Sequence, residues 1–205
     1  MFAWAELAGF LLLLTVLTPI LGGYLAGVFE GPAVGIRRIG GRIEDSIYRI
    51  CRIDPSLDMR WSEYFMAVLV FSAVSAAALF ALLCTQGGLP LNPQHFPNLP
   101  PLLAFNVAVS FMTTTDWQAY AGESTLSYLS AMAGLGWQNF AAAAVGLAVA
   151  LAAIRGFTRS SAHGLGNFWV DVTRSLLYVL APLSIAGALF WSPKERRRIL
   201  LPIRA

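Results

Sequence analysis

The sequence contains little charge: Asp, Glu, Lys and Arg make up 12% of its 205 residues, whereas 57% are hydrophobic and the mean hydropathy is +0.65. Four stretches have no charged residue at all, namely 7–29, 64–84, 124–154 and 175–193. Each has about 18 residues or more, which lets a helix cross a hydrocarbon core about 30 Å thick. This composition argues against an ordinary soluble domain and predicts an all-α membrane protein built of transmembrane helices.

Residue types that usually mark catalytic chemistry are also few. The two cysteines, Cys51 and Cys84, lie in no pairing or metal-binding motif, so we expect both to be unpaired. His95 and His163 have no Cys, Asp or Glu at the spacing of metal ligands. The sequence contains no Walker motif and no aspartyl-phosphate sequence, which predicts that this chain binds no nucleotide.

The arginines are distributed unevenly between the uncharged runs. The segment 30–63 contains six, the segment 85–123 contains no Lys or Arg, and Arg155, Arg159 and Arg174 follow the third run. Because basic connections stay in the cytoplasm, this pattern predicts an outer N-terminus and connections that lie inside, outside and inside in turn. We expect the first run to be a retained span, since no basic residue precedes it and no A-x-A cleavage site follows it. Acidic residues alternate with the six arginines, so the first inner loop is expected to be largely solvated and available for docking another subunit.

The basic tail breaks this charge pattern. The sequence "KERRRILLPIRA" contains five of the fourteen basic residues and would follow the fourth span on the outer side, where translocation of such a cluster is disfavoured. We therefore expect 192–205 to be an atypical end, such as a truncation or frameshift. The alternative is a basic tail attracted to an anionic membrane surface.

The outer connection is long and has two parts. "TQGGLPLNPQHFPNLPP" has five prolines and is expected to form an irregular cap, with Pro100 and Pro101 suited to the start of a helix. The apolar stretch that follows, 102–112, is too short to cross a membrane and has the right length for a helix that crosses halfway.

The segment "TTTDWQAYAG" comes directly after this half-length helix. Irregular backbone is tolerated within a bilayer only where protein buries it or where it lines a watery path. Its carbonyl and hydroxyl oxygens are the hard ligands that replace water around an alkali cation, so the segment is expected to line a cation path. The alternative is an outer loop with an interfacial helix, in which Trp117 and Tyr120 lie among the headgroups.

The sequence "AVSFMTTTDWQAYAGESTLSYLSAMAGLGWQNF", residues 108–140, closely resembles the first pore region of the KdpA family, the potassium-translocating subunits of bacterial Kdp-type potassium-transporting ATPases. Further resemblance lies in "LPLNPQHFPNLP", "AIRGFTR", "DMRWSEYFMAVL" and "LGNFWVDVTRSLLYVLAPLSIAGALF". Together these motifs cover roughly residues 5–191.

The resemblance implies a scaffold of the potassium channel superfamily, in which four membrane-pore-membrane repeats surround one axis after an extra helix. This chain would supply only the first repeat and part of the second. The implied segments are an extra transmembrane helix at 1–29, a cytoplasmic loop at 30–61, the first repeat at 62–155 with its pore helix at about 102–112 and filter at 113–118, a cytoplasmic turn and first helix of the second repeat at 156–191, and the atypical tail at 192–205.

By this resemblance the filter consists of Thr113, Thr114, Thr115 and Asp116, which would hold K⁺ mainly through backbone carbonyls. Gln118 matches a family glutamine that borders the filter and influences potassium affinity. Family members have asparagine where this chain has Thr114 and Asp116, a departure that bears on affinity rather than on location. The Asp116 carboxylate would either deepen the ion site or point away and accept backbone N–H bonds.

The resemblance also implies partners: a P-type ATPase catalytic subunit like KdpB, a periplasm-facing subunit like KdpC and a small subunit like KdpF, all in the inner membrane. Potassium would be the transported ion, ATP hydrolysis would lie on another subunit, and no nucleic-acid partner is expected. Three alternatives are a passive Trk- or Ktr-like channel or symporter, an intramembrane hydrolase using Asp116 with His95 or Glu123, and a nonfunctional remnant.

Several residues outside the filter have structural roles to be expected from the sequence. Glu123 precedes the third uncharged run and should cap its helix. Gly134 and Gly136 should let another helix approach closely. Asp171 and Arg174, three residues apart, should pair with each other or lie at the membrane interface.

Overall fold

The computed structural model describes residues 2–30, 37–158 and 164–190, and these residues form helices and connecting segments with no strand among them. A 3₁₀ turn, Gln86–Gly88, extends α3, and π-helical turns at Ser130–Gly136 and Ser175–Leu180 precede α6 and α8. The helices are α1 (Phe2–Phe29), α2 (Arg37–Cys51), α3 (Trp61–Thr85), α4 (Pro101–Met112), α5 (Gly122–Thr125), α6 (Trp137–Thr158), α7 (Phe168–Arg174) and α8 (Ala181–Phe190).

Four helical segments are long and apolar enough to cross a membrane: Trp4–Phe29, Trp61–Gly88, Ser130–Thr158 and Phe168–Phe190. This confirms the prediction of an all-helical membrane protein from the scarcity of charge. The expected basic tail at 192–205 and His163 lie outside the described residues.

The third and fourth spans begin at different places from those expected. The third uncharged run is interrupted after the short helix α5, and its span starts at Ser130. The fourth span starts earlier than its uncharged run because Asn167 caps it, accepting N–H bonds from Trp169 at 3.0 Å and Val170 at 3.4 Å. Such a cap satisfies N–H groups that the first turn of a helix leaves free.

The fourth span also tolerates an acidic residue near its start, because Asp171 is buried in an ion pair. Both carboxylate oxygens of Asp171 accept hydrogen bonds from the Arg155 guanidinium, one from Nη2 at 2.9 Å, and the Tyr64 hydroxyl donates a third at 3.0 Å. The expected pairing of Asp171 with Arg174 is therefore wrong. Arg155, at the end of α6, is nearer in space because α7 turns back alongside that helix.

Two glycines let the chain pass this ion pair. Gly166 has a φ of +95°, and a Cβ there would overlap the Arg155 guanidinium. A Cβ on Gly164 would overlap the Met59 carbonyl oxygen, which accepts an N–H bond from Leu165 at 2.8 Å. Nearby, in the loop before α3, Ser56 donates its N–H and its hydroxyl to Asp54, which lowers the pKa of that carboxyl.

The chain divides into two compact units, one made of 52–176 and the other of 1–51 with 177–205. In the second of these, the Tyr24 hydroxyl donates to the Tyr178 carbonyl, and the Tyr178 hydroxyl donates to Glu44 Oε2 at 2.6 Å. Glu44 belongs to α2, so the segment expected to be a solvated loop is in fact largely a helix with a fully buried carboxylate.

Candidate functional site

The half-length helix α4 packs one face against α3, and the described residues leave its other face uncovered. Ala104, Val107 and Phe111 are buried in a cluster with Leu79 and Leu83 of α3. On the opposite face Leu102 and Phe105 are 82% and 59% exposed. At 12 residues, α4 is about 18 Å long, roughly half the length of a span.

The chain enters and leaves this region at the same end of α3. Just before α4, the Leu99 N–H donates to the Leu83 carbonyl at 3.1 Å. After the irregular segment that follows α4, the Tyr128 N–H donates to the Leu91 carbonyl, also at 3.1 Å. The segment from Pro101 to Thr125 is therefore a hairpin that begins and ends beside the proline-rich cap.

Gln86 joins the two arms of this hairpin. Its amide nitrogen donates to the Pro97 carbonyl at 2.7 Å and to the Thr125 carbonyl at 2.8 Å. Its amide oxygen accepts from the Ser127 N–H at 3.2 Å and from the Ser130 hydroxyl at 2.9 Å. Since Gln86 is fully buried, these bonds replace all of its contacts with water, and the ends of the hairpin are fixed to α3.

The backbone after α4 turns its N–H groups toward the helix it has just left. The Thr114 N–H donates to the Phe111 carbonyl at 3.5 Å, while the N–H groups of Thr115 and Asp116 donate to the Ser110 carbonyl at 3.0 and 3.3 Å. In a trans peptide the C=O points opposite to the N–H of the next residue. The carbonyls of Thr113, Thr114 and Thr115 are therefore directed away from α4.

Two of these three carbonyls have no hydrogen-bond donor among the described residues. The Thr113 oxygen accepts a bond from the Thr114 hydroxyl at 2.7 Å. The carbonyl oxygens of Thr114 and Thr115 accept no hydrogen bond from any residue that the structure describes, and residues 113–119 are all exposed. The arrangement offers consecutive oxygen ligands to a bound cation or to water.

An unusual backbone conformation produces this arrangement. Thr114 has a φ of 57° and Asp116 a φ of 51°, in the left-handed region that is costly for a β-branched residue such as threonine. Ser110 holds the segment in place, because its carbonyl receives two N–H bonds and its hydroxyl donates to the Trp117 carbonyl at 3.0 Å.

The side chains of the predicted filter residues have different environments. The hydroxyls of Thr113 and Thr115 lie 3.1 Å apart, and Thr113 also donates to the Val109 carbonyl at 2.9 Å. Asp116 is exposed, and among the described residues no N–H group donates to its carboxylate, so the second of the two alternatives for this side chain finds no support there. Gln118 is exposed just beyond the carbonyls.

The expectations for the flanking residues are met only in part. Glu123 lies in the separate short helix α5, so it does not cap the third span. Gly134 does permit close approach, since a Cβ there would lie 2.7 Å from Leu82 of α3. Gly136 has ordinary space around it, with the nearest atom at 3.6 Å.

Sequence reasoning missed Ser110 and Gln86. Ser110 lies within an apolar helix, where a serine is an ordinary small residue. Its role in holding the threonine segment depends on the turn that follows the helix. Gln86 could have been noticed in the sequence, because an amide side chain at the end of an uncharged span needs hydrogen-bond partners. Only the folded chain brings Pro97, Thr125, Ser127 and Ser130 around it.

Taken together, the four spanning helices and the half-length hairpin define a multi-pass helical membrane protein. The family model for "Potassium-transporting ATPase A subunit" (KdpA) matches residues 8–193. The chain belongs to the KdpA family, which confirms the resemblance found in the sequence.

Relatives with the name "Potassium-transporting ATPase potassium-binding subunit" are about half identical to this chain. The protein of Serratia proteamaculans is 50% identical over 200 residues, which are 98% of this chain and 35% of the relative. That of Methylococcus capsulatus is 50% identical over 184 residues, 90% of this chain and 31% of the relative. That of Rhodospirillum centenum is 51% identical over 177 residues, which are 86% of this chain and 31% of the relative. The chain thus spans about a third of the length of these relatives.

Proposed function

We propose that this chain carries the first filter loop of a potassium-binding and potassium-translocating subunit in an ATP-driven uptake complex. The observation that carries the proposal is the run of carbonyls at Thr113, Thr114 and Thr115, directed away from α4 by N–H bonds to Phe111 and Ser110. Backbone carbonyls of this kind replace the hydration shell of K⁺ in selectivity filters.

The half-length helix contributes to ion binding through its dipole. The C-terminal end of α4 carries the negative end of the helix dipole, and it lies directly beside the threonine carbonyls. Asp116 adds a formal negative charge next to this position, and Gln118 borders it. In the proposal K⁺ is held by Thr113, Thr114, Thr115 and Asp116, mainly through backbone oxygens, with Gln118 influencing affinity.

One loop supplies only part of an ion's coordination. The proposal therefore assigns the remaining ligands to three further loops in the part of the relatives' length that this chain does not span. A neighbouring repeat would pack on the exposed face of α4, with Leu102 and Phe105, and on the exposed Trp117 of the loop that follows it. Residues 62–155 would form the first repeat, 156–191 would begin the second, and 1–29 would be the extra helix.

The names of the relatives refer to a potassium-transporting ATPase, so we assign ATP hydrolysis to a separate P-type catalytic subunit like KdpB. Subunits like KdpC and KdpF would complete the assembly in the bacterial inner membrane. The arginine distribution supports an N-terminus on the periplasmic side.

Two alternatives have less support. A passive Trk- or Ktr-like protein would share the loop, but the family match is to a subunit of an ATPase. An intramembrane hydrolase would need Asp116 to act with His95 or Glu123, and no hydrogen bond joins these side chains in the part of the chain that the structure describes.

A chimaera tests the proposal. Residues 101–128 of this chain would replace the matching segment of the Serratia proteamaculans relative, expressed with its partner subunits in cells that lack other potassium uptake. Potassium-limited growth and ⁸⁶Rb⁺ uptake should be retained. In this chimaera Ser110→Ala should raise the KM for potassium about five-fold, because loss of one hydrogen bond, about 1 kcal/mol, loosens the carbonyl run.

Ser124→Ala is the matched control. Its hydroxyl donates to the Ala121 carbonyl, outside the carbonyl run, so its KM should stay unchanged. A chimaera that assembles but neither takes up ⁸⁶Rb⁺ nor hydrolyses ATP in response to potassium would contradict the proposal, as would equal effects of the two substitutions.

A further inference from the structure

Helix α2 presents two adjacent strips that no residue in the described part of the chain covers. Its buried edge consists of Glu44 and Tyr48, which are hydrogen-bonded to each other at 2.7 Å. Away from this edge lies an apolar strip, in which Ile43 is 54% and Ile50 is 80% exposed. The residues of each strip are seven apart, which is close to two helical turns.

The second strip is basic. Arg42 and Arg49 immediately precede the two isoleucines in sequence, so they lie about 100° around the helix from them. Both arginines are exposed, and neither guanidinium has a hydrogen bond or ion pair with a residue that the structure describes. The exposed isoleucines form an apolar patch that water solvates poorly, and the neighbouring arginines add positive charge to it.

The contacts of α2 place it beside the fourth membrane span. Tyr178 of the fourth span donates to Glu44, and a Cβ on Gly40 would overlap the Tyr178 ring, so α2 lies directly against this side chain. Helical side chains tilt toward the N-terminus of their helix. Tyr178 therefore points toward the start of the fourth span, which the arginine distribution assigns to the inner side.

Helix α2 has 15 residues and several charges, so it is too short and too polar to cross a bilayer. A helix with one apolar and one basic strip instead lies in the plane of the interface. Its apolar side chains enter the acyl region while guanidinium groups bind lipid phosphates, for which the planar donor fork of arginine is well suited.

We propose that the apolar and basic strips of α2, formed by Ile43 and Ile50 and by Arg42 and Arg49, bind anionic phospholipid headgroups of the inner leaflet. The occupant is a membrane lipid, because the surface joins apolar to basic residues and is attached to the spans through Tyr178. Another subunit or a second copy of the chain would need acidic groups facing the same arginines. The inference does not depend on potassium binding.

Depth measurements test the position of the apolar strip. In the chain with Cys51→Ser and Cys84→Ser, nitroxide labels at Ile43→Cys and Ile50→Cys would be compared with one at Asp45→Cys, on the exposed opposite side of α2. In phosphatidylglycerol-containing bilayers the first two labels should be accessible to dissolved oxygen, and the third to a water-soluble nickel chelate. Nickel access at all three sites would overturn the proposal. Protection of the isoleucine sites from both reagents would overturn it in favour of a covering protein.

Lipid competition tests the basic strip. The purified chain should retain phosphatidylglycerol in preference to phosphatidylcholine in native mass spectrometry. Arg42→Gln and Arg49→Gln should each lower this preference about five-fold, the effect of one basic residue near an anionic surface. A variant with lysine at both positions should keep most of the preference for phosphatidylglycerol, because the positive charges remain.

Arg60→Gln is the matched control, because Arg60 is exposed in the same inner segment but lies outside α2. The preference of this variant for phosphatidylglycerol should remain close to that of the unaltered chain. An equal loss with Arg60→Gln would mean that overall charge, not the basic strip, attracts the lipid, and would overturn the proposal.

Discussion

Gly166 illustrates how a single backbone position supports the start of the second span and the end of the third. Its φ of +95° lies in the region that other residues rarely adopt, and the Arg155 guanidinium occupies the space that a side chain would need. Its N–H donates to Asp58 at 2.7 Å and its carbonyl accepts from Met59 at 2.8 Å. The absence of a side chain here allows Arg155 to reach Asp171.

Gly166→Ala should destabilise the protein by at least about 1–2 kcal/mol, the cost of a left-handed residue with a Cβ. Displacement of Arg155 from its buried ion pair should add to this loss. Thermal unfolding of the purified chain in detergent, followed by circular dichroism, measures the effect.

Gly146→Ala provides the comparison within α6, since no atom lies within 4 Å of its added Cβ. It should leave the unfolding temperature unchanged or raise it slightly, because alanine favours the helix. If both variants unfold at the same temperature, the ion pair does not depend on Gly166.

At the scale of whole elements, the hairpin built from α4 and its following loop depends on attachments at both ends. Core side chains of α4 hold it against α3, while Gln86 joins the outer cap to the chain that returns. The half-length helix was predictable from its prolines and its short apolar run. Helix α2 was not predicted, although Ile39, Ile43, Ile47 and Ile50 recur at helical spacing, because its alternating charges suggested a solvated loop.

Gln86→Leu should loosen the hairpin ends. The substitution removes the partner of four hydrogen-bonding groups: the buried Ser127 N–H and Ser130 hydroxyl, and the part-buried carbonyls of Pro97 and Thr125. Each buried group that stays unsatisfied costs about 1–3 kcal/mol. Hydrogen exchange measured by mass spectrometry should show loss of protection in 86–99 and 122–130, with α1 unaffected.

Gln94→Leu makes the same chemical change at an exposed position of the outer cap. Its exchange pattern should match that of the unaltered chain. Unchanged protection in Gln86→Leu would show that core packing alone fixes the hairpin.

At the scale of the whole molecule, the distribution of arginine between connections predicts an orientation in the membrane. The inner side should contain α2 and the residues around Arg155, and the outer side the proline-rich cap. Exposed residues on each side make this orientation measurable.

A membrane-impermeant maleimide should distinguish the two sides. In intact spheroplasts of cells expressing the Cys84→Ser chain, it should label Gln94→Cys in the outer cap and leave Cys51 unlabelled. After permeabilisation Cys51 should react as well, because it is an exposed thiol. Labelling of Cys51 from outside would reverse the orientation.

The sequence by itself determined the class and the family of this protein. Uncharged apolar runs of this length match the thickness of a bilayer, and the segment from Ala108 to Phe140 carries a specific pattern, so neither conclusion needs contacts between distant residues. Only the tertiary structure decided the pairing of Asp171 with Arg155, the role of Gln86 and the direction of the threonine carbonyls. These depend on hydrogen bonds between residues that the sequence separates, and on backbone angles that no side-chain pattern specifies.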